Sequence, residues 1–172
     1  METVYFKGQP CHTYGNIPAV GEKAPCYNLV SKELKEITCM DYKDKIVVLN
    51  IFPSLDTAVC AASVRRFNAE AAKYPDTVVI CVSMDLPFAA QRFCTANGID
   101  NVVVASAFRS PTFAQKFGML LVDGPLAGLL TRAVLILDGD RRVVYRDPVS
   151  EITNEPDYKG VISVLDRLTA KE

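Results

Sequence analysis

The sequence has no tryptophan, a single histidine, and no Cys-x-x-Cys among its six cysteines. The one histidine, His12, and cysteines at positions 11, 26, 39, 60, 81 and 94 cannot supply the paired ligands of a closed zinc site, and a redox dithiol close in sequence is excluded as well. No apolar stretch approaches the ~18 residues that span a bilayer. The longest, Ile46 to Phe52, is seven residues and contains Asn50. Met1 to Phe6 shows no basic segment, apolar stretch and small-residue cleavage site in succession. Neither membrane anchor nor secretory leader is expected, so the chain reads as soluble and cytoplasmic, with its cysteines kept reduced. Positive charge is not in surplus, with 19 Lys and Arg against 20 Asp and Glu, which argues against a nucleic-acid partner. The densest basic cluster, Arg141, Arg142 and Arg146, sits beside Asp138, Asp140 and Asp147 and reads as a solvated hairpin. No internal repeat, low-complexity tract or linker is visible, and neither metal nor cofactor is expected.

What is present suits an ordinary globule: 172 residues, 49% hydrophobic and 23% charged. One core is the default at that length, so residues 1–172 are expected to form a single domain with 1–18 as an N-terminal hairpin extension. Thr3 to Phe6 and Cys11 to Tyr14 are β-prone runs flanking Gly8-Gln9-Pro10, and a loop rich in turn formers follows. Ile46 to Phe52 is an almost unbroken apolar run, as in a strand covered on both faces. Val59 to Tyr74 predicts a helix, Thr77 to Met84 a strand, Phe88 to Asn97 a helix stopped by Gly98, and Val102 to Ala105 a strand. This β-α-β-α-β order implies a parallel sheet with helical crossovers. Thr131 to Leu137 and Arg142 to Tyr145 flank the turn Asp138-Gly139-Asp140 and add two antiparallel strands. Val161, Ile162, Val164, Leu165 and Leu168 mark a closing helix.

Cys60 falls in the first turn of the helix after the central strand, with Asp56 or Thr57 as N-cap. Unsatisfied N–H groups and the helix dipole favour an anion there. Position alone leaves open a buried cysteine packing as a small hydrophobe. Pro53, Thr57 and Cys60 fit the pattern Pro, three residues, Thr, two residues, Cys. The segment Asn50 to Cys60 thereby resembles the peroxidatic segment of the peroxiredoxins, and Phe52-Pro53-Ser54-Leu55-Asp56-Thr57 with Val59-Cys60 is similar to the thiol peroxidase subfamily in particular. Asp85 to Ala89 with Arg92-Phe93-Cys94, Asp123 to Leu126 with Gly128, and Thr153 to Tyr158 carry the resemblance over nearly the whole chain. Ala58 is a mild departure at a position that is often glycine.

The resemblance implies an α/β, thioredoxin-like fold with a central mixed β-sheet and flanking helices. It implies that Cys60 attacks a hydroperoxide and becomes a sulfenic acid, and that Cys94 resolves it as an intramolecular Cys60–Cys94 disulfide. Thr57 and Arg132 would position the peroxide, and Pro53 would shield the sulfur. Thioredoxin is the implied reductant and a homodimer paired through the active-site face the implied assembly, acting on alkyl hydroperoxides alongside hydrogen peroxide, for which Phe88 and Leu126 would supply apolar surroundings. Arg132 fits independently, since it opens a strand expected beside the one carrying Asn50. For any thiol, lowering the pKa from about 8.5 to about 6 raises the thiolate fraction at pH 7 about 30-fold. The nucleophilicity lost is about 13-fold, so most of the rate must come from charge stabilisation at the leaving oxygen. The two helices bearing Cys60 and Cys94 are expected to unwind locally on oxidation, because a disulfide needs Cα atoms within about 7 Å. Two rivals stay open: a non-catalytic thioredoxin-fold redox sensor or binding module, and a one-cysteine peroxidase in which Cys94 is incidental. Cys81 reads as core and His12 as structural, while Cys11, Cys26 and Cys39 lie outside every motif.

Overall fold

The computed structural model describes residues 1–170. The chain opens as an antiparallel hairpin, β1 (Thr3–Phe6) and β2 (Gln9–His12), turned by Lys7 and Gly8 at positive φ. Then follow β3 (Asn28–Ser31), β4 (Glu36–Thr38) and β5 (Ile46–Ile51), α1 (Ala58–Ala71), β6 (Thr77–Ser83), α2 (Pro87–Asn97) and β7 (Val103–Ser106). A short helix α3 (Pro111–Lys116), β8 (Ala133–Leu137), β9 (Val143–Pro148) and α4 (Tyr158–Thr169) complete the order. Seven strands form one mixed sheet in the order β4-β3-β7-β6-β5-β8-β9. Strands β5, β6 and β7 are parallel, joined by helical crossovers, and the outer pairs are antiparallel.

The fold agrees with the sequence in its central elements and adds four it left out. Residues 15 to 44, read as loop, hold β3 and β4 and a 3-10 turn over Cys39–Tyr42. These strands are four and three residues long, too short for alternation to register, and β3 is placed by pairing with β7. Six-residue α3 is likewise too short to show a period.

Alternation along the strands divides the core in two. Val47, Leu49 and Ile51 of β5 face a cluster with Tyr27, Phe113 and Phe117. Val48 faces the other way, with Val134 and Ile136 of β8, into the layer of α1, α2 and α4 through Val64, Phe67, Ala90, Val161 and Leu165. Cys39 belongs to the first cluster, Cys60 and Cys94 to the second. The N-terminal hairpin packs Val4 and Cys11 on Leu121 and Ile152 as a third. Among the described residues no helix is long and apolar enough to cross a membrane.

Candidate active site

Strand β5 delivers the chain to the end of the sheet, where Phe52 N donates to Val82 O at 3.1 Å. Buried Pro53 then turns it away. Thr57 is the N-cap of α1: its Oγ1 accepts from Cys60 N at 3.4 Å and its hydroxyl donates to Ser54 O at 3.0 Å. The cap contact is at the long end for such a bond, so the first turn is lightly held. Cys60 lies in that turn, fully buried, with no acidic side chain among the first-turn residues to compete for the helix terminus. The loop is strapped from the next strand by Asp85, whose carboxylate accepts from Ser54 Oγ at 2.9 Å, Leu55 N at 2.7 Å and Ser83 Oγ at 2.7 Å.

Arg132 precedes β8 by one residue and shares the face of Val134, so its side chain projects toward α1. It is 2% exposed. Nη2 donates to Cys60 Sγ at 3.1 Å and Nε donates to Ile152 O at 2.7 Å. Nη1 finds no acceptor among the described residues, and no carboxylate there forms an ion pair with the guanidinium. Such a cation is costly to bury unless charge is brought to it. The Ile152 carbonyl is itself held in place: Ile152 N donates to Tyr5 O at 2.8 Å and Tyr5 N donates to Ser150 O at 2.7 Å. Beside it the Glu151 carboxylate accepts from Gly8 N at 2.9 Å, Lys7 N at 3.1 Å and Thr153 N at 3.2 Å. Those bonds, that from Gly8 foremost, pull its pKa down to about 2. The N-terminal hairpin thus reaches Cys60 through Glu151, Ile152 and Arg132.

Cys94 is in the last turn of α2, buried, with its carbonyl accepting from Ile99 N at 3.0 Å and from the N–H of Gly98, the left-handed C-cap at φ 63°. Burial pushes its thiol pKa up, opposed by Lys32 and reinforced by Glu33. Cys60 and Cys94 are both free thiols on the same side of the sheet. Cys81 sits in the core, where burial pushes its pKa up to about 12, which leaves it inert. Phe88 is 66% exposed, and Leu126 packs against the hairpin cluster. His12 Nδ1 meets Asp123 Oδ2 at 2.7 Å, a tie between hairpin and loop. That contact lowers the Asp123 pKa.

Three features escaped the sequence. Asp85 was visible only as part of a motif, and its bonds to the Cys60 loop need the fold. Asn50, the one polar residue in β5, donates through Nδ2 to Ser63 Oγ at 3.2 Å and Cys81 Sγ at 3.6 Å. Ser63 Oγ in turn donates to Cys60 O at 2.8 Å, so a polar thread runs beneath the first turns of α1. An asparagine inside an apolar strand was the signal for it. The third feature is a correction: the cysteines do not all stay reduced, for Cys26 and Cys39 are joined in a disulfide across a separation of 13. Packing brings them together after β3 and β4 fold the intervening chain back, which spacing alone does not reveal. Arg141 is only partly solvated; it bonds Ala24 O at 2.8 Å and Cys39 Sγ at 3.4 Å.

A free sulfur at a helix N-terminus, one forked cation on it and a second N–H of that cation without a partner form a site for a small, polarisable molecule whose bond to oxygen breaks as charge develops. The redoxin family pattern matches residues 19–162. A thiol peroxidase of Corynebacterium glutamicum is 47% identical over 165 residues, 96% of this chain and 99% of that protein. One from Mycobacterium bovis is 46% identical over the same shares. The crystal structure of a peroxiredoxin-like protein from Aquifex aeolicus superposes with a TM-score of 0.93 at 42% identity, covering 98% of each chain.

Proposed function

Because this chain belongs to the redoxin family, in the thiol peroxidase subfamily of the peroxiredoxins, and is a peroxide-reducing oxidoreductase, we propose that Cys60 is its nucleophile and Cys94 its resolving thiol. The Cys60 thiolate attacks the terminal oxygen of the hydroperoxide. The O–O bond breaks, the alkoxide or hydroxide leaves and takes up a proton, and Cys60 carries a sulfenic acid. The Cys94 thiol then displaces that oxygen as water, giving a Cys60–Cys94 disulfide. A thioredoxin dithiol reduces it by two successive exchanges, and the chain returns to its starting state.

The observation that carries this reading is the fork of Arg132. With Nη2 on the sulfur at 3.1 Å, Nη1 has no acceptor among the described residues and is free to meet the peroxide oxygens. Thr57, capping the same turn, orients the distal oxygen, and Pro53 keeps water off the sulfur. Cys60 lies in the first turn of α1 and Cys94 in the last turn of α2, and helix ends open before helix centres. Local unwinding of both turns therefore closes the disulfide without disturbing the sheet. We assign residues 1–172 to one catalytic domain working in the cytoplasm, as a homodimer whose contact includes Leu86 and Phe88, exposed beside the Asp85 strap.

One equivalent of cumene hydroperoxide, followed at once by alkylation and peptide mapping, tests the assignment. A Cys60–Cys94 crosslink formed in seconds is the expected outcome. Sulfenic or sulfinic Cys60 with Cys94 alkylated would instead make this a one-cysteine peroxidase, and an untouched Cys60 would remove it from the chemistry.

A further inference from the structure

The Cys26–Cys39 disulfide lies apart from the peroxide site. Its Cys39 packs with the cluster on the other face of the sheet from Cys60 and adjoins the opposite end of β5. Cys39 sits in the wall of a cleft of about 230 Å³ that also takes in Lys45, Val47 and Arg141, whereas Cys60 follows the far end of β5. Six residues of strand separate the two ends, on the order of 20 Å, so neither sulfur of this pair can reach Cys60 directly.

The two sulfurs are not equivalent. Cys39 is 6% exposed, and Arg141 Nη1 donates to its Sγ at 3.4 Å. Cys26 is exposed, and no side-chain donor bonds its sulfur among the described residues. Nor does the disulfide hold its segments together alone. Arg141 Nε donates to Ala24 O and Ala24 N donates to Arg141 O, both at 2.8 Å, while Cys39 N donates to Tyr27 O at 3.2 Å. Opening the S–S bond therefore leaves Cys39 beside the arginine. Arg141 takes φ 64°, a left-handed conformation usually left to glycine or asparagine, and in it reaches both Ala24 and Cys39.

We propose that Cys26–Cys39 is a second redox centre, a thiol-disulfide exchange site at which a low-molecular-weight thiol attacks Cys26 and Cys39 leaves as a thiolate held by Arg141. The thiolate RS⁻ forms a bond to Cys26 Sγ, the Cys26–Cys39 bond breaks, and the electron pair goes to Cys39 Sγ. A second thiolate then displaces Cys26, releasing RSSR and a dithiol form of the protein, and the small-molecule disulfide reverses both steps. Exchange is faster when the departing thiolate is stabilised, which sets the polarity. The centre thus answers to the thiol-to-disulfide ratio of its surroundings, whereas Cys60 answers to peroxide.

The full chain, with this disulfide closed, is incubated with reduced glutathione, quenched in acid, alkylated and digested. Trypsin cuts at Lys32 and Lys35, between the two cysteines, so each adduct is assigned separately. The expected result is glutathione on Cys26 with Cys39 alkylated, favoured about tenfold or more over the reverse, and opening about tenfold slower in Arg141→Met. A disulfide that stays closed until the protein is unfolded in guanidinium would overturn the proposal, as would an adduct found mainly on Cys39. Arg141→Met also disturbs the Ala24 contact, so the adduct pattern of the unaltered chain decides the matter by itself.

Discussion

Two arginines in this chain reach a cysteine sulfur, one on each side of the sheet, and the sulfurs are in different states. Arg132 touches Cys60, free and fully buried at a helix N-terminus, and keeps Nη1 without a partner among the described residues. Arg141 touches Cys39, already joined to Cys26 and opening on a cleft. On the proposed assignment, a guanidinium beside sulfur is not enough to make a peroxide site. What differs is the remainder of the shell: Arg132 brings a donor to spare in a buried position, while Arg141 sits where the neighbouring atom is a second sulfur. The first arrangement can stabilise charge on a departing oxygen, the second charge on a departing thiolate.

The largest expected contrast comes from the sulfurs themselves. Cys60→Ser should lower peroxide consumption on the order of a thousandfold or more, because it removes the proposed nucleophile. Cys26→Ser in the same assay should stay within about twofold, since its segment does not touch the Cys60 shell. Stopped-flow consumption of hydrogen peroxide reads both, and a matching loss in the Cys26 variant would dissolve the distinction between the two regions.

The arginines follow. Arg132→Met removes one donor aimed at developing charge, so the second-order rate of Cys60 oxidation should fall about a hundredfold to a thousandfold. Arg141→Met should leave that rate within about twofold. Arg132→Met also leaves Ile152 O without its donor, so thermal unfolding must be measured beside the rate; a rate loss confined to unfolded protein would be a packing effect. Cys94→Ser divides the cycle differently: the single-turnover oxidation of Cys60 should be unchanged, while steady turnover on thioredoxin should drop about tenfold or more. Equal steady rates for the variant and the parent would assign resolution to an external thiol.

The sequence was most legible where one residue type leaves few options. The apolar run at 46–52 placed the central strand, Pro53, Thr57 and Cys60 marked the turn, and Asp138-Gly139-Asp140 marked the hairpin whose first strand pairs with β5. It was least legible where function depends on contacts between segments far apart in the chain. Ile152 and Glu151 orient Arg132 from 20 residues away, and through Glu151 the turn at Lys7 and Gly8 joins them across more than 140. No local pattern marks such carbonyls and amides, because any backbone can supply them. The Cys26–Cys39 bond was hidden for a related reason: β3 and β4 are too short to announce the turn that brings the two cysteines together.

The smallest effect probes how each arginine is held. Arg141 is fixed by direct bonds to the backbone of residue 24, whereas Arg132 depends on a segment anchored by the Glu151 carboxylate. The Glu151 pKa is about 2 in the folded chain against an ordinary 4.5, and a lowered folded pKa stabilises the fold above the unfolded value. That contribution is complete above about pH 4.5 and is lost as pH falls through about 2. Glu151→Gln should therefore shift the urea midpoint downward at pH 6 and bring it much closer to the parent's near pH 2, where the parent carboxylate is about half protonated and most of its contribution is gone. Loosening of the hairpin should reach Cys60 as a two- to fivefold slower oxidation at pH 7, on the order expected for a positioning contact one step removed from the reacting atoms. Exchange at Cys26 should be unaffected in the same variant. An equal offset in urea midpoint at both pH values would show that the substitution acts through something other than the carboxylate charge, and an unchanged oxidation rate would detach the hairpin from Arg132.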